Sequence, residues 1–328
     1  MISRARLLFV CYPDTNSPIG GVKQIYRQVE ILHQAGYSAF VLQEKPCFRA
    51  DWFVSEAPVI DLQSYISLPP DLNRDIIVLP ETWLANVPSY LAGIPKVIFN
   101  QNAYYTFGLD GNINIDTLNL YHHPDIRAVV TVSDDNQRFL IDGCGLSHDS
   151  VYRVINGIDG SLFYPPDRKQ RRVVFLGRKH VQHSRIIQIL AHTRPFLQRY
   201  DFQELPRLNH VELASELRES LVFLSSGHPE GFGLPLAEAI ACGCITVGYH
   251  GLAGRDFCGA ALHQVEFGDL LGFLNKLESA LQEFELNPDV VTEKLIHNAL
   301  ELRERYSFER EKEECLLVWS QIINQDDH

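Results

Sequence analysis

The sequence predicts an α/β protein with two doubly wound domains, each built on a parallel sheet with helices on both faces. The first observation is length, because 328 residues exceed one ordinary core at roughly 150 residues per domain. The second is that short apolar runs alternate with helical patterns along the whole chain. The third is that these apolar runs are continuous rather than alternating, which is typical of strands buried on both faces.

The first half opens with an apolar run at 7–12, which predicts a strand, followed by a helix over 22–36. The apolar residues of this helix recur at spacings of three and four, and Gly36 marks its end. Further strands are predicted at 38–43, 75–81, 96–102, 128–134 and 151–156, with a helix at 135–143.

The segment 156–172 interrupts this pattern with glycines, a Pro-Pro pair and a basic cluster, and it is interpreted as the interdomain linker. A second α/β series follows. Its strands are predicted at 173–177, 202–205, 222–226, 244–249 and 261–267, and its helices at 184–200, 210–221, from Pro235, 269–286, 288–306 and 308–325. The predicted domains are therefore 1–164 and 165–307, with the terminal helix, about 308–328, crossing back onto the first domain.

The composition limits the classes of partner. Hydrophobic residues make up 45% and charged residues 21%, and no apolar run reaches the roughly 20 residues of a membrane span. The net charge of −12 argues against nucleic acid or an anionic membrane as a default partner. The N-terminus is interpreted as a strand rather than a signal peptide. Seven cysteines without a CxxC pair predict reduced thiols in a cytoplasmic protein, and Cys242 and Cys244 lack further zinc ligands at suitable spacing.

The segment HPEGFGLPLAEAIACG, 228–243, carries the strongest chemical signal. Its loop lies between a predicted strand and a helix that begins near Pro235, where free N–H groups and the positive helix end form an anion site. Gly231 and Gly233 let a ligand approach the backbone. Glu238, about one turn into the helix, suits a ribose diol, and Glu230 suits another part of the same ligand. The plainer alternative is a strand–turn–helix whose glycines serve the turn only.

The same segment resembles the E-x7-E signature of retaining nucleotide-sugar glycosyltransferases of the GT-B fold, the group 1 or family four type. Glu230 and Glu238 match its two acids. Other segments resemble further family motifs in the same order: PIGGVKQIYRQVEIL at 18–32, VSDDNQRFL at 132–140, VINGIDGSLFYP at 154–165 and VVFLGR at 173–178. The resemblance covers most of the chain, is most specific at 154–251, and is weakest at 44–127.

The resemblance implies a role for individual residues. It implies catalytic roles at Glu230 and Arg178, with Glu230 on the transferred sugar and Arg178 on the leaving diphosphate. It also implies an acceptor-binding first domain and a donor-binding second domain, with no metal and no cofactor. The implied donor-binding residues are Gly20, Gly21, Gly231, Phe232, Gly233, Leu234 and Glu238, and the acceptor-side candidates are Gln101, Asn102 and Tyr104. Taken alone, Gly20 and Gly21 are equally consistent with a simple helix-start turn.

Two departures from the family pattern stand out. A lysine five residues after the arginine is usual, but His183 occupies that position, so Lys179 or Arg185 is needed to supply the missing charge. Lys179 is included among the catalytic candidates for this reason. In place of a histidine after the strand at 96–102, the chain has amides, which bind hydroxyl groups but cannot act as bases. In this family the leaving phosphate is usually described as the base in a front-side attack.

These observations predict a retaining, metal-independent hexosyltransferase of polysaccharide biosynthesis. Its partners would be a nucleotide-diphosphate sugar and a hydroxyl-bearing glycan or glycoconjugate, with no nucleic acid and no stable membrane insertion. Two other functions remain open. The chain is alternatively a nucleotide-sugar epimerase or phosphorylase of the same architecture, or a catalytically inactive interaction subunit, which the histidine at 183 motivates.

Overall fold

The structure is a computed structural model that describes residues 5–67, 74–108 and 116–324. The chain divides into two compact units: the first contains Met1–Asn156 and the segment from Glu309 onward, and the second contains Gly157–Phe308. This division falls earlier than the predicted boundary after residue 164. The reason is that 157–164 packs within the second unit, where Phe163 is fully buried and the Leu162 carbonyl accepts a hydrogen bond from Arg218 at 2.6 Å.

The first unit is a parallel seven-stranded sheet in the order β3-β2-β1-β4-β5-β6-β7. Its apolar strand side chains form a buried core with the flanking helices. The elements are β1 (Arg6–Val10), α1 (Gly20–Gln34), β2 (Ser38–Gln43), β3 (Val59–Asp61), α2 (Leu62–Ile66), β4 (Asp75–Pro80), β5 (Lys96–Asn100), α3 (Thr117–Leu120), β6 (Ile126–Thr131), α4 (Asp134–Arg138) and β7 (Val151–Arg153).

The second unit is a parallel five-stranded sheet in the order β12-β11-β10-β8-β9 with its own core. The elements are β8 (Gln170–Leu176), α5 (Val181–Ala191), β9 (Asp201–Leu205), α6 (His210–Glu219), β10 (Ser220–Ser225), α7 (Leu234–Ala241), β11 (Ile245–Gly248), β12 (Leu262–Gln264), α8 (Leu270–Leu286) and α9 (Pro288–Arg305). The predicted class of two Rossmann-like parallel-sheet domains is confirmed.

Several elements differ from the sequence prediction; the short helices α2 and α3 were not predicted, and β12 is shorter than the strand predicted at 261–267. β3 was not predicted, because its three residues are too few to show a pattern. The helix predicted at 184–200 ends at Ala191, and a 3₁₀ turn at Leu197–Arg199 follows, since Pro195 prevents the helix from continuing. The helix predicted at 135–143 is α4 followed by a π-helical turn at Phe139–Gly143.

Strand order fixes where each unit can bind a ligand. In a doubly wound sheet the crevice lies outside the carboxyl ends of the strands, at the point where the strand order reverses. That point is between β1 and β4 in the first unit and between β8 and β10 in the second. Each unit therefore has one topologically favoured ligand site.

The last helix, α10 (Phe308–Asn324), is integral to the first unit. Trp319 is fully buried, its ring centroid lies 5.1 Å from that of Phe9, and its Nε1 donates to Gln28 Oε1 at 3.0 Å. The buried Glu311 carboxylate pairs with Arg27 at 2.9 Å. The remaining part of the predicted helix, 325–328, lies outside the described residues.

The sequence predicts no membrane-spanning segment and reduced cysteine thiols. Among the described residues, none of the helices combines the length and apolar character needed to cross a bilayer. All seven cysteines are free, and six of them are buried, while Cys47 is exposed.

Replacing Trp319 with alanine is expected to destabilise the first unit by about 3–5 kcal/mol, because the substitution leaves a large cavity and removes the indole hydrogen bond to Gln28. Leu317→Ala is the matched control on the same helix, since Leu317 is 60% exposed, and it should change stability by less than about 0.5 kcal/mol. Urea unfolding followed by circular dichroism measures both. Equal effects of the two substitutions would contradict the packing described for α10.

Candidate active site

The loop between β10 and α7 ends in an uncapped helix start. Gly233 is the N-cap residue of α7, with a left-handed φ of 95°, and no side chain caps the helix. Pro235 follows within the first turn. Within the described residues, no hydrogen bond is made by the backbone N–H groups of Phe232, Gly233 and Leu234. Because buried N–H groups need a partner, this corner is suited to an anion.

The Glu230 carboxylate is held by the same loop. Its backbone N–H donates to the Gly251 carbonyl at 2.7 Å, which ties the loop to the segment after β11. A Cβ atom at Gly227 would lie 2.6 Å from Glu230 Oε1, and one at Gly251 would lie 2.9 Å from Glu230 Cβ. These two glycines therefore leave the space that the Glu230 side chain occupies.

Lys179 is the cation closest to this acid. Its Nζ donates to Glu230 Oε2 at 2.8 Å and to the Pro229 carbonyl at 2.7 Å. Lys179 follows β8, so the ion pair joins the two strands that flank the switch point of the second unit. The pair brings together two residues predicted from the sequence to be catalytic.

A cleft opens at the carboxyl ends of β8, β10 and β11. Arg178, Lys179, Glu230 and Gly233 all line it. The Arg178 side chain is exposed, and no ion pair or hydrogen bond to its guanidinium is present in the described part of the chain. The cleft thus contains one uncommitted cation, a lysine–glutamate pair and the start of a helix with free N–H groups.

Glu238 lies in α7, two residues after the last residue of that helix that lines the cleft. It is only 4% exposed, is not among the cleft-lining residues, and its Oε1 lies 3.5 Å from His210 Nε2 at the start of α6. His210 in turn contacts the Phe163 ring at a centroid distance of 5.0 Å. The predicted ribose contact of Glu238 stays a prediction. Sequence analysis did not identify His210 as its neighbour, because the two residues lie on different helices.

The resemblance predicts a lysine at position 183, where this chain has His183, and the structure distinguishes the two residues, Lys179 and Arg185, that could supply its charge. His183 accepts or donates a hydrogen bond with the Tyr249 hydroxyl at 2.9 Å. Arg185 makes a two-point pair with Glu204 at 2.6 and 2.7 Å and is not among the residues that line the cleft. That pair lowers the pKa of Glu204. Lys179 is therefore the substitute that the fold directs toward the cleft.

A cluster of imidazoles borders the site. Its position beside the donor pocket was expected for His228, but the ring contacts within the cluster were not predicted from the sequence. His228 stacks on Phe267 at 4.2 Å, and His180 lies 4.9 Å from the same ring and 5.5 Å from His183. Burial lowers the pKa of both His183 and His228, and the nearby His180 lowers them further. The only sequence signal was the His-x-x-His spacing at 180 and 183, which places two residues on one helical face.

In the first unit, the glycine pair and one amide are brought together. Gly20 and Gly21 begin α1. The Gln101 Nε2 donates to the Gly21 carbonyl at 3.2 Å, and a Cβ at Gly21 would lie 3.2 Å from Gln101 Oε1. The Gln101 backbone N–H donates to Glu81 Oε2 at 3.0 Å. Glu81 was missed from the sequence, although an acid directly after a buried strand was a usable signal.

The other acceptor-side candidates make local structural contacts. Asn102 is buried, and its Oδ1 accepts from the Tyr104 backbone N–H at 3.2 Å. The Tyr104 hydroxyl donates to Asp135 Oδ2 at 2.6 Å. These contacts order the chain after β5. Of the three acceptor-side candidates, Gln101 is the one whose side-chain amide contacts the glycine pair.

Comparisons with known proteins bear on the fold and on the class of activity. No family model matches the chain. An α-1,6-glucosyltransferase of Actinobacillus pleuropneumoniae serotype 7 (strain AP76) is 25% identical over 288 residues, which cover 82% of this chain and 81% of that protein.

Solved structures resemble the whole chain. Sucrose-phosphate synthase from Thermosynechococcus elongatus has a TM-score of 0.72 at 14% identity, covering 97% of this chain and 99% of that one. Anabaena HepE in complex with UDP-glucose has a TM-score of 0.67 at 15% identity, covering 96% and 99%. The fold is therefore GT-B, and the relative and the neighbours together indicate a glycosyltransferase.

Replacing His180 with glutamine is expected to raise the pKa of both His183 and His228, because it removes a nearby imidazole whose protonation opposes theirs. Imidazole proton shifts followed by NMR against pH measure this, and His33→Gln, on exposed residue 33 of α1, is the control. The lowered folded-state pKa values also make the stability of the wild type fall as pH drops through the ordinary histidine range, since the unfolded chain binds protons more readily. Unchanged midpoints in His180→Gln would refute the assigned cause.

Proposed function

We propose that this protein is a retaining glycosyltransferase that moves a hexosyl group from a nucleoside diphosphate sugar to a hydroxyl group of a glycan or glycoconjugate. The observation that carries the proposal is that Arg178, Lys179, Glu230 and Gly233 line one switch-point cleft, beside a helix start at which the backbone N–H groups of residues 232–234 have no partner among the described residues. The glucosyltransferase relative and the neighbour solved with UDP-glucose support the choice of reaction and donor.

The diphosphate is the part of the donor that this cleft suits best. Free N–H groups at the start of α7 and the positive end of its dipole favour an anion. Arg178 adds a guanidinium fork, which matches pairs of phosphate oxygens. Negative charge grows on the leaving phosphate as the sugar bond breaks, so the same groups stabilise the transition state more than the ground state. We assign this role to them in place of a metal ion.

Lys179 and Glu230 contact different parts of the donor. Lys179 supplies the cation that the family carries at the position of His183, because its Nζ is directed into the cleft. Glu230 accepts hydrogen bonds from hydroxyl groups of the transferred sugar, and its pairing with Lys179 places it beside the phosphate site. Glu238, backed by His210, holds the ribose hydroxyls.

The first unit binds the acceptor. Gln101 presents a side-chain amide beside the start of α1, and neither it nor Asn102 can remove a proton. In the family that the chain resembles, the leaving phosphate is described as the base that deprotonates the acceptor hydroxyl, and we assign it that role here. Attack and departure on the same face of the sugar preserve its anomeric configuration.

One observation favours a second candidate, a binding protein without catalysis. Lys179 is already neutralised by Glu230 at 2.8 Å, so the cleft has fewer uncommitted cations than the family pattern supplies. Such a protein would bind nucleoside diphosphates with the same residues but would neither hydrolyse nor transfer a sugar. An epimerase on the same fold would instead convert the labelled donor without an acceptor.

Arg178→Ala and Lys179→Ala are each expected to lower the rate of sugar transfer or donor hydrolysis by about 10²–10³, as for removal of one transition-state donor. The donor is first identified by a thermal-shift screen of UDP-, GDP-, ADP- and TDP-sugars, because a ligand of the folded state raises the melting temperature. Arg185→Ala is the matched control, since that cation is paired with Glu204 outside the cleft.

Two results would contradict the assignment. If Arg185→Ala lowers the activity as much as Arg178→Ala, the rate does not depend specifically on the cations that line the cleft. Binding of a nucleoside diphosphate without any turnover in the wild type would establish the non-catalytic alternative.

A further inference from the structure

Three aromatic side chains cluster at the ligand edge of the first unit. The Tyr12 and Trp83 rings lie 5.1 Å apart at 68°, and the Trp83 and Tyr90 rings lie 5.6 Å apart at 83°. All three side chains are half-buried. They pack on the core of the first unit from one side, which leaves the other side accessible. We call this set the aromatic cluster.

The cluster lies at the switch point of the sheet. Tyr12 comes two residues after β1 ends, and Trp83 lies in the 3₁₀ helix Glu81–Asn86 that directly follows β4. β1 and β4 are the neighbouring strands at which the order of the first sheet reverses. The same 3₁₀ helix begins with Glu81, which holds the Gln101 backbone. The cluster therefore occupies the edge at which doubly wound sheets bind their ligands.

The cluster is preorganised. The Tyr12 and Tyr90 hydroxyl groups form a hydrogen bond at 3.0 Å. The loop that carries Tyr12 is fixed by the Asp14 carboxylate, which accepts from the backbone N–H groups of Glu44 at 3.1 Å and Lys45 at 2.7 Å. Rings held in this way need little ordering when a ligand binds.

Polar groups of the cluster are available to a ligand. One hydrogen bond between two phenols uses one O–H group, so the other phenol O–H has no partner in the described part of the chain. The Trp83 indole N–H likewise makes no hydrogen bond within the described residues, and Trp83 is not fully buried. The site thus combines an aromatic surface with at least two donors.

The charge around the cluster selects the class of ligand. Two acids adjoin the cluster: Asp14 follows Tyr12 by two residues, and the Asp14 carboxylate accepts from the Glu44 backbone N–H at 3.1 Å. Both acids act electrostatically on Tyr12. A phosphate or a nucleotide is disfavoured there, whereas a neutral polyhydroxylated ring is not. The C–H face of a pyranose matches the negative face of an aromatic ring, and its hydroxyl groups can accept from the indole and phenol and donate to the carboxylates.

We propose that the aromatic cluster is a sugar subsite that seats one neutral pyranose ring of the acceptor through Trp83 and the Tyr12–Tyr90 pair. The identification of that ring as part of the acceptor rests on the proposed function. Binding of the ring itself does not, because it depends on the first unit alone.

The test is saturation-transfer NMR on the full chain with methyl α-D-glucopyranoside, isomaltose, cellobiose and lactose as probes. At least one probe should receive saturation from aromatic protons in the wild type. Trp83→Ala should weaken its binding by roughly tenfold, since stacking and one hydrogen bond are lost, and Trp83→Phe should retain part of it. Trp52→Phe is the control, because the Trp52 ring packs on Phe53 and its indole nitrogen is buried, so this variant should bind the probe as the wild type does.

Circular dichroism and thermal unfolding establish that each variant is folded. Unchanged probe affinity in folded Trp83→Ala, or no binding of any probe by the wild type, overturns the subsite. If Trp83→Ala does not fold, Trp83→Phe is the deciding variant, and undiminished probe binding by it overturns the proposed contact with the indole N–H.

The two proposals fail separately. Trp83-dependent sugar binding by a protein that turns over no nucleotide sugar would keep the subsite and overturn the transferase. In an active enzyme, Trp83→Ala should instead raise the acceptor KM by roughly tenfold and leave the affinity for UDP unchanged.

Discussion

The uncapped start of α7 is the constraint on which the site of the second unit depends. Gly233 takes a left-handed conformation there and Pro235 follows, so the loop turns sharply into the helix without a side chain that could cap it. Three successive N–H groups are left without a partner among the described residues. Such groups are costly when buried, and the fold retains them at the point where a parallel sheet binds ligands. An anionic ligand resolves this cost and obtains its affinity from the same interaction.

The side chains around that corner complete a local charge arrangement that the overall charge conceals. The chain carries a net charge of −12, yet Arg178 and Lys179 follow β8 in succession and both line the cleft. The Glu230 carboxylate occupies space left by two glycines and neutralises Lys179, while Arg178 stays uncommitted in the described part of the chain. The cleft therefore offers a fixed negative group for hydroxyls immediately beside positive groups for phosphate. A nucleotide sugar has both kinds of group in adjacent positions.

Much of the fold and part of the site followed from the sequence. Continuous apolar runs located eleven of the twelve strands found in the described residues, because buried parallel strands differ from helices in length and pattern, and the E-x7-E segment located the loop before α7. The directions in which side chains point could not be predicted from the sequence. Lys179 and Arg185 were equivalent candidates until the fold turned one toward Glu230 and the other toward Glu204. The burial of Glu238 against His210, and the link from Glu81 through Gln101 to Gly21, depend on tertiary contacts between distant segments, which a local pattern does not encode.

A structure of the protein with bound UDP tests the central claim most directly. The account predicts the diphosphate at the start of α7, with its oxygens within hydrogen-bond distance of the N–H groups of residues 232–234 and of the Arg178 guanidinium. Lys179 should then contact the phosphate instead of, or in addition to, Glu230. A diphosphate bound elsewhere on the second unit, with those N–H groups still without a partner, would contradict it.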